Sequence, residues 1–236
     1  MEGLIQIAGV VDDEEARMLV DSGVIEIGFP LRLTVNKEDI SEEQATRIIS
    51  SFKPPVSGFL ITYLSNTLEI VDLCRKLGVL KVQIHGDIPT SEIAGLRALA
   101  PGLRIVKSLV VRGANLPKLE ILVEELSPHV HGFITDTYDP STGACGATGK
   151  THDWEISRRL VDMSPRPILL AGGLNPENVR RAILYVQPAG VDVHTGVEGP
   201  DGRKDRELVK AFVSRAREAF GAVCRKTAID ACGQRQ

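Results

Sequence analysis

The chain contains no apolar run of the ~18 residues needed for a membrane-spanning helix. Its opening, MEGLIQIAGV, has no basic stretch ahead of a cleavable apolar core. Both absences lead to the expectation of a cytoplasmic protein with no membrane partner. Cysteine is scarce, and Cys74, Cys145, Cys224 and Cys232 are scattered without paired metal-ligand spacing; a reduced state is the default in that compartment. Like-charge blocks are also missing: 28 basic residues stand against 31 acidic ones, for a net charge of −3. That balance gives no reason to expect a nucleic-acid partner. What remains is a chain of 236 residues, 43% hydrophobic, long enough to bury one large core.

What the chain does have is a repeated unit, a short apolar strand followed by a helix, which can be counted eight times. The first four pairs are LIQIA (4–8) with 12–22, IEIG (25–28) with 41–51, SGFLIT (57–62) with 67–77, and KVQI (81–84) with 91–100. The other four are RIVKS (104–108) with 116–126, GFIT (132–135) with 154–163, ILLA (168–171) with 176–185, and GVDV (190–193) with 205–220. Parallel strands buried on both faces read as continuous runs of Val, Ile and Leu, and alternating βα units imply a parallel sheet. An open doubly wound sheet is the rival, but eight units in this length suit a (β/α)₈ TIM barrel, whose typical size is ~250 residues. One barrel is expected over 1–221, followed by a short, flexible C-terminal tail over 222–236.

In such a barrel the functional loops gather at the C-terminal ends of the strands. After strand 7 comes AGGLNPENV (171–179). Gly172 and Gly173 let backbone approach a ligand, while Asn175 suits a helix cap and Pro176 a first helical position. Strand 8 leads into VDVHTGVEGPDGRKD (191–205), where Thr195 and Gly196 add hydroxyl and backbone donors. Together these loops read as an anion site, the alternative being two ordinary turns and a cap. The long loop after strand 6, DTYDPSTGACGATGKTHDW (136–154), resembles the end of a nucleotide-binding P-loop in its GATGKT, but Ala144 stands where that motif needs glycine. A lid over the barrel mouth is the better reading. Asp136, at the strand end, is placed to act as general acid or base, or else to cap the loop. On strand 4, Gln83 points into the barrel or toward its mouth, and His85 meets either ligand or a neighbouring loop. His129 and His131 fall on the opposite rim, where no metal site is expected.

These segments together, VQIHG (82–86), DT (136–137), GATGKTHDW (146–154), AGGLNPENV (171–179) and GVDVHTGVEGPDGRKD (190–205), resemble the phosphoribosylanthranilate isomerase family of tryptophan biosynthesis. The resemblance spans roughly residues 4–220. It implies a cofactor-free and metal-free isomerase, a monomer or homodimer, that opens a phosphoribosylamine ring and makes a 1-amino-2-ketose from a phosphorylated small-molecule substrate. Asp136 takes the family's general-acid position. Gly172, Gly173, Asn175, His194, Thr195 and Gly196 fall in the phosphate-binding turns, and Gln83 and His85 in the substrate-facing strand 4.

Two motifs depart from the family pattern. Where the first strand usually ends in Lys-Ile-Cys-Gly, with the cysteine as base for the sugar C2 proton, this chain has Gln6-Ile7-Ala8-Gly9. Where a Ser-Pro-Arg motif usually binds the anthranilate carboxylate, it has Val35-Asn36-Lys37, leaving Lys37 or Arg32 to meet that group. Asp12, Asp13 and His194 are candidates for a substitute base. Two readings therefore stand: an isomerase of altered or weakened activity, and a divergent barrel that binds another phosphorylated ligand for other chemistry or for binding only.

Overall fold

The computed structural model describes residues 3–34, 38–113, 115–137 and 153–233. Its strands are β1 (Leu4–Ala8), β2 (Glu26–Pro30), β3 (Ser57–Thr62), β4 (Lys81–Ile84), β5 (Arg104–Val111), β6 (Gly132–Thr137), β7 (Ile168–Leu170) and β8 (Gly190–Val193). Each pairs in parallel with the next, and β8 closes on β1 with Gln6 opposite Asp192 and Ile7 opposite Val193. The (β/α)₈ barrel expected from the strand count is the observed fold, and the open sheet is not.

The crossover helices are α1 (Asp13–Asp21), α2 (Glu42–Ser51), α3 (Thr67–Leu77), α4 (Thr90–Leu99), α5 (Leu116–Leu126), α6 (Trp154–Met163), α7 (Val179–Val186) and α8 (Arg206–Gly233). Their starts are written in the sequence. Asp12 accepts the Glu15 N–H, Ser41 and Gln44 form a reciprocal capping box, and Asn66 accepts from Leu68 and Glu69. α3 stops at Gly78, whose φ of 71° is left-handed and therefore suits glycine.

Alternation along the strands sorts side chains into two compartments. One set, including Ile7, Ile27, Leu60, Val82, Ile105 and Phe133, packs outward against the helices. The other fills the barrel, where Phe59, Val106, Ile134, Leu169 and Ala171 form an apolar plug with Leu4 beside it. One strand step above this plug the inward positions turn polar: Gln6 above Leu4, Asp136 above Ile134, and Asp192 above Gly190. The barrel's interior thus changes from hydrocarbon to hydrogen-bonding groups toward its C-terminal mouth.

Several boundaries differ from the sequence expectation: β2 and β5 run on to Pro30 and Val111, and three others bear on the site or the tail. β6 extends to Thr137, so Asp136 is held by sheet hydrogen bonds opposite Val110. α7 begins at Val179, because Asn175 Oδ1 accepts the N–H groups of Glu177 and Asn178 and folds the preceding residues into a turn. α8 runs on past Phe220 to Gly233, through most of the segment read as a flexible tail; no proline interrupts it there.

Candidate active site

A cavity of about 320 Å³ opens at the C-terminal mouth. Its floor and walls include Ala8, Ile61, Tyr63, His85, Asp136, Asp192 and His194, and the turns Gly172–Gly173 and Thr195–Gly196 close one side. The volume lies in the range of small-ligand pockets.

Asp136 is buried, with 3% of its surface exposed, yet lines the cavity. Its Oδ1 accepts the Thr137 N–H at 2.8 Å, and its Oδ2 stands 3.1 Å from His85 Nδ1. The other His85 nitrogen is 3.3 Å from Gln83 Oε1, and Gln83 Nε2 donates to Gln6 Oε1 at 2.9 Å. A chain of polar contacts therefore crosses the barrel from β6 through β4 to β1. It fixes the His85 ring, which lies 5.9 Å from the Tyr63 ring. Gln83 is fully buried beneath the cavity, so it orients His85 and does not itself line the site.

The glycines after β7 and β8 have specific backbone duties. Gly172 and Gly173 have φ of 94° and 62°, a region L-residues rarely enter. Gly196 lies so close to the preceding turn that a Cβ there would stand 1.8 Å from the Leu174 carbonyl oxygen. This packing brings the two turns together, and Thr195 begins a 3₁₀ turn, Thr195–Val197, at the cavity wall. Asn175 lies behind the wall: its side chain holds the turn that precedes α7, and Asn178 Nδ2 donates to the Gly173 carbonyl at 2.9 Å. Asn175 thus caps the turn before α7 and is not among the cavity-lining residues, while Asn178 supports Gly173.

His194 also differs from expectation. Its ring covers β1's end, and a Cβ on Gly9 would fall 2.0 Å from Nε2. Burial, aided by the Lys204 ammonium, pushes its pKa down to about 3, so the imidazole stands neutral and adds no charge to an anion site. The Asp39 and Glu198 carboxylates lie 3.7 and 3.6 Å from Nε2, beyond hydrogen-bonding distance. The cation on this side is Lys204, whose Nζ donates to Glu198 at 2.6 Å and to the His194 carbonyl at 3.2 Å.

Other expected residues fall elsewhere. Arg32 turns toward α2, where Nε pairs with Glu42 at 2.9 Å, and is not among the cavity-lining residues. Its side chain is drawn to the acidic first turn of that helix. Lys37, Cys145 and most of the glycine-rich loop after β6 lie outside the described residues. Asp12 caps α1 and pairs with Arg203 at 2.7 Å, and Asp13 pairs with Arg47 at 2.7 Å, so both serve the scaffold. His131 accepts the Ile105 N–H on the opposite rim. Among the described residues no group of His, Cys, Asp or Glu is arranged to hold a metal ion, and no helix is long and apolar enough to cross a membrane.

Sequence reasoning missed Asp192, Tyr63, Asp39 and Lys204. The one sequence signal for Asp192 is a lone acid inside the apolar run GVDV; its inward register with Gln6 comes only from the closed sheet.

A family profile described as N-(5′-phosphoribosyl)anthranilate (PRA) isomerase matches residues 5–215. N-(5′-phosphoribosyl)anthranilate isomerase 2 of Methanosarcina mazei is 37% identical over 217 residues, covering 92% of this chain and 95% of that protein. The Moorella thermoacetica N-(5′-phosphoribosyl)anthranilate isomerase is 38% identical over 232 residues, covering 97% and 96%. Among solved structures, the Thermotoga maritima phosphoribosyl anthranilate isomerase superposes with a TM-score of 0.76 at 30% identity, over 92% of this chain and all of that one. A second such isomerase, solved with reduced 1-(o-carboxyphenylamino)-1-deoxyribulose 5-phosphate, also gives 0.76, at 28% identity, over 92% of this chain and all of that one. The chain belongs to the N-(5′-phosphoribosyl)anthranilate isomerase family.

Proposed function

We infer that this protein catalyses the Amadori rearrangement of N-(5′-phosphoribosyl)anthranilate to its 1-amino-2-ketose, a step of tryptophan biosynthesis. The observation that carries the reading is the set of groups around one cavity: a carboxylate at the end of β6, oriented by a fixed histidine, faces two glycine-rich turns. The turns after β7 and β8 hold the phosphate through backbone N–H groups and the Thr195 hydroxyl. Pro30, Ile61 and Tyr63 give the aromatic ring an apolar wall.

Asp136 protonates the ring oxygen. The C1–O bond then breaks, and the nitrogen lone pair forms a C1=N iminium. Loss of the C2 proton gives an enaminol, and return of a proton to C1 gives the ketone. The reaction is internally balanced and calls on no external oxidant or reductant.

The test is loss of anthranilate-type fluorescence when freshly made substrate is mixed with purified protein, run beside Asp136→Asn. Turnover by the native chain that vanishes in the variant supports this reading. Absence of turnover, with phosphate ligands still bound, would favour a barrel adapted to another phosphorylated ligand.

A further inference from the structure

Four carboxylates line the cavity, Asp39, Asp136, Asp192 and Glu198, and the two that sit on barrel strands, Asp136 and Asp192, have opposite surroundings. Asp136 is engaged by the Thr137 N–H and by His85. Asp192 also lines the cavity, but among the described residues its buried Oδ1 has beside it only the amide of its register partner Gln6, outside close hydrogen-bonding geometry. Leaving a buried polar atom unpaired costs about 1–3 kcal/mol, and such atoms are rare unless they serve a purpose. On the adjacent β1 end the cavity-facing group is the methyl of Ala8, which cannot take a proton.

The rearrangement needs an acceptor for the C2 proton. Asp12 and Asp13 are committed to Arg203 and Arg47 and do not line the cavity. His194 is too weak a base, since its conjugate acid loses its proton at about pH 3. Glu198 is held by the buried Lys204 ammonium at 2.6 Å. Asp39 lines the cavity from the β2–α2 loop beside His194 and is not on a barrel strand next to β1. Among the described residues Asp192 is the remaining carboxylate on a barrel strand, one inward position below His194 and beside β1.

We propose that Asp192 is the catalytic base of this enzyme, the group that removes the C2 proton after Asp136 has protonated the ring oxygen. The assignment rests on the isomerase reading above. The C2–H electron pair becomes the C1=C2 bond as the iminium π pair moves to nitrogen. Asp192 then delivers the proton to C1 while the C2 hydroxyl proton leaves to solvent, from which Asp136 is reprotonated.

The electrostatics agree. Burial first, then the Asp136 charge, push the Asp192 pKa up to about 7, and Lys204 and the nearby Gln6 amide offset this only in part. The polar or charged groups around it are Gln6 on β1, His85 on β4, Asp136 on β6, His194 at the end of β8, Glu198 and Lys204 on the β8–α8 loop, and Asp39 on the β2–α2 loop. β7 presents Ala171, which is apolar. A proton acceptor that titrates near neutrality is matched to transfer at pH 7.

Steady-state kinetics of the native chain and Asp192→Asn across the neutral range test this. The native kcat is expected to rise with pH through a limb near 7, as Asp192 loses its proton. The variant is expected to lose that limb and about 10²–10⁴-fold in kcat, with KM changed far less. A variant that keeps native kcat and the same limb overturns the assignment while leaving the isomerase reading intact. Should the variant fail to fold, a native profile without a limb near 7 overturns it equally. A native chain with no turnover overturns both.

Discussion

The two rims of the barrel use their ionisable side chains in different ways. At the N-terminal rim the Lys81 charge is matched: Nζ donates to Glu26 and, at 2.8 Å, to Ser57 Oγ, which in turn donates to Glu26 at 3.0 Å. His131 accepts a backbone N–H there and packs against Arg97. At the C-terminal rim Asp192 Oδ1 is unpaired, His194 is buried neutral, and Asp39 has its pKa raised by burial. Matched charges hold a scaffold together. Unmatched ones store proton affinity that a substrate can use.

The largest expected effect lies on the C-terminal rim. Asp136→Asn should lower kcat by about 10²–10⁴-fold while phosphate-ligand affinity stays close to native. Fluorescence turnover, read against equilibrium binding of inorganic phosphate, checks it, and full activity in the variant would remove Asp136 from the acid role.

On the N-terminal rim the pattern should invert. Lys81→Ala leaves Glu26 and Ser57 without their shared cation and is expected to cost about 1–3 kcal/mol in denaturant unfolding, with kcat unchanged. A loss of kcat without a loss of stability would break the contrast.

A smaller effect comes from pH. Asp192, with its folded pKa raised from 3.8 to about 7, contributes stability that is fully present below the unfolded value and lost as pH rises through the folded one. His194, lowered from 6.5 to about 3, contributes stability present above pH 6.5 and lost as pH falls toward 3. The two slopes oppose each other in the native chain. Melting curves should therefore show Asp192→Asn gaining on native as pH rises from acid to neutral, and His194→Asn gaining as pH falls. Parallel curves for all three proteins would contradict both shifts.

The smallest effect is expected from Arg47→Ala, which removes an ion pair whose side chains are 62% and 40% exposed. The expected cost is slight and shrinks with salt, read from the same unfolding curves.

Much of the fold was legible because its signals are local. Asp12, Ser41, Asn66 and Gly78 mark helix ends by their own hydrogen bonds and backbone angles, and the strands announce themselves as short apolar runs. The phosphate-side turns were legible for the same reason, through paired glycines and Thr195. Arg32 and Asn175 were misplaced because their direction depends on neighbours distant in sequence or on a turn's exact course: Arg32 follows Glu42, and Asn175 follows the N–H groups of Glu177 and Asn178. Asp192 escaped notice because one acid within an apolar strand says nothing of which residues surround it.

The sequence by itself determined a closed parallel barrel, the glycine turns and the aspartate at the end of β6, since periodicity, capping and chirality act over a few residues. Only the tertiary structure decided what those residues do for one another. Barrel closure sets β8 beside β1, so Asp192 meets Gln6 across nearly the whole chain, and His85 reaches Asp136 from β4. Proton affinity depends on burial and on nearby charge, and both are properties of the closed barrel.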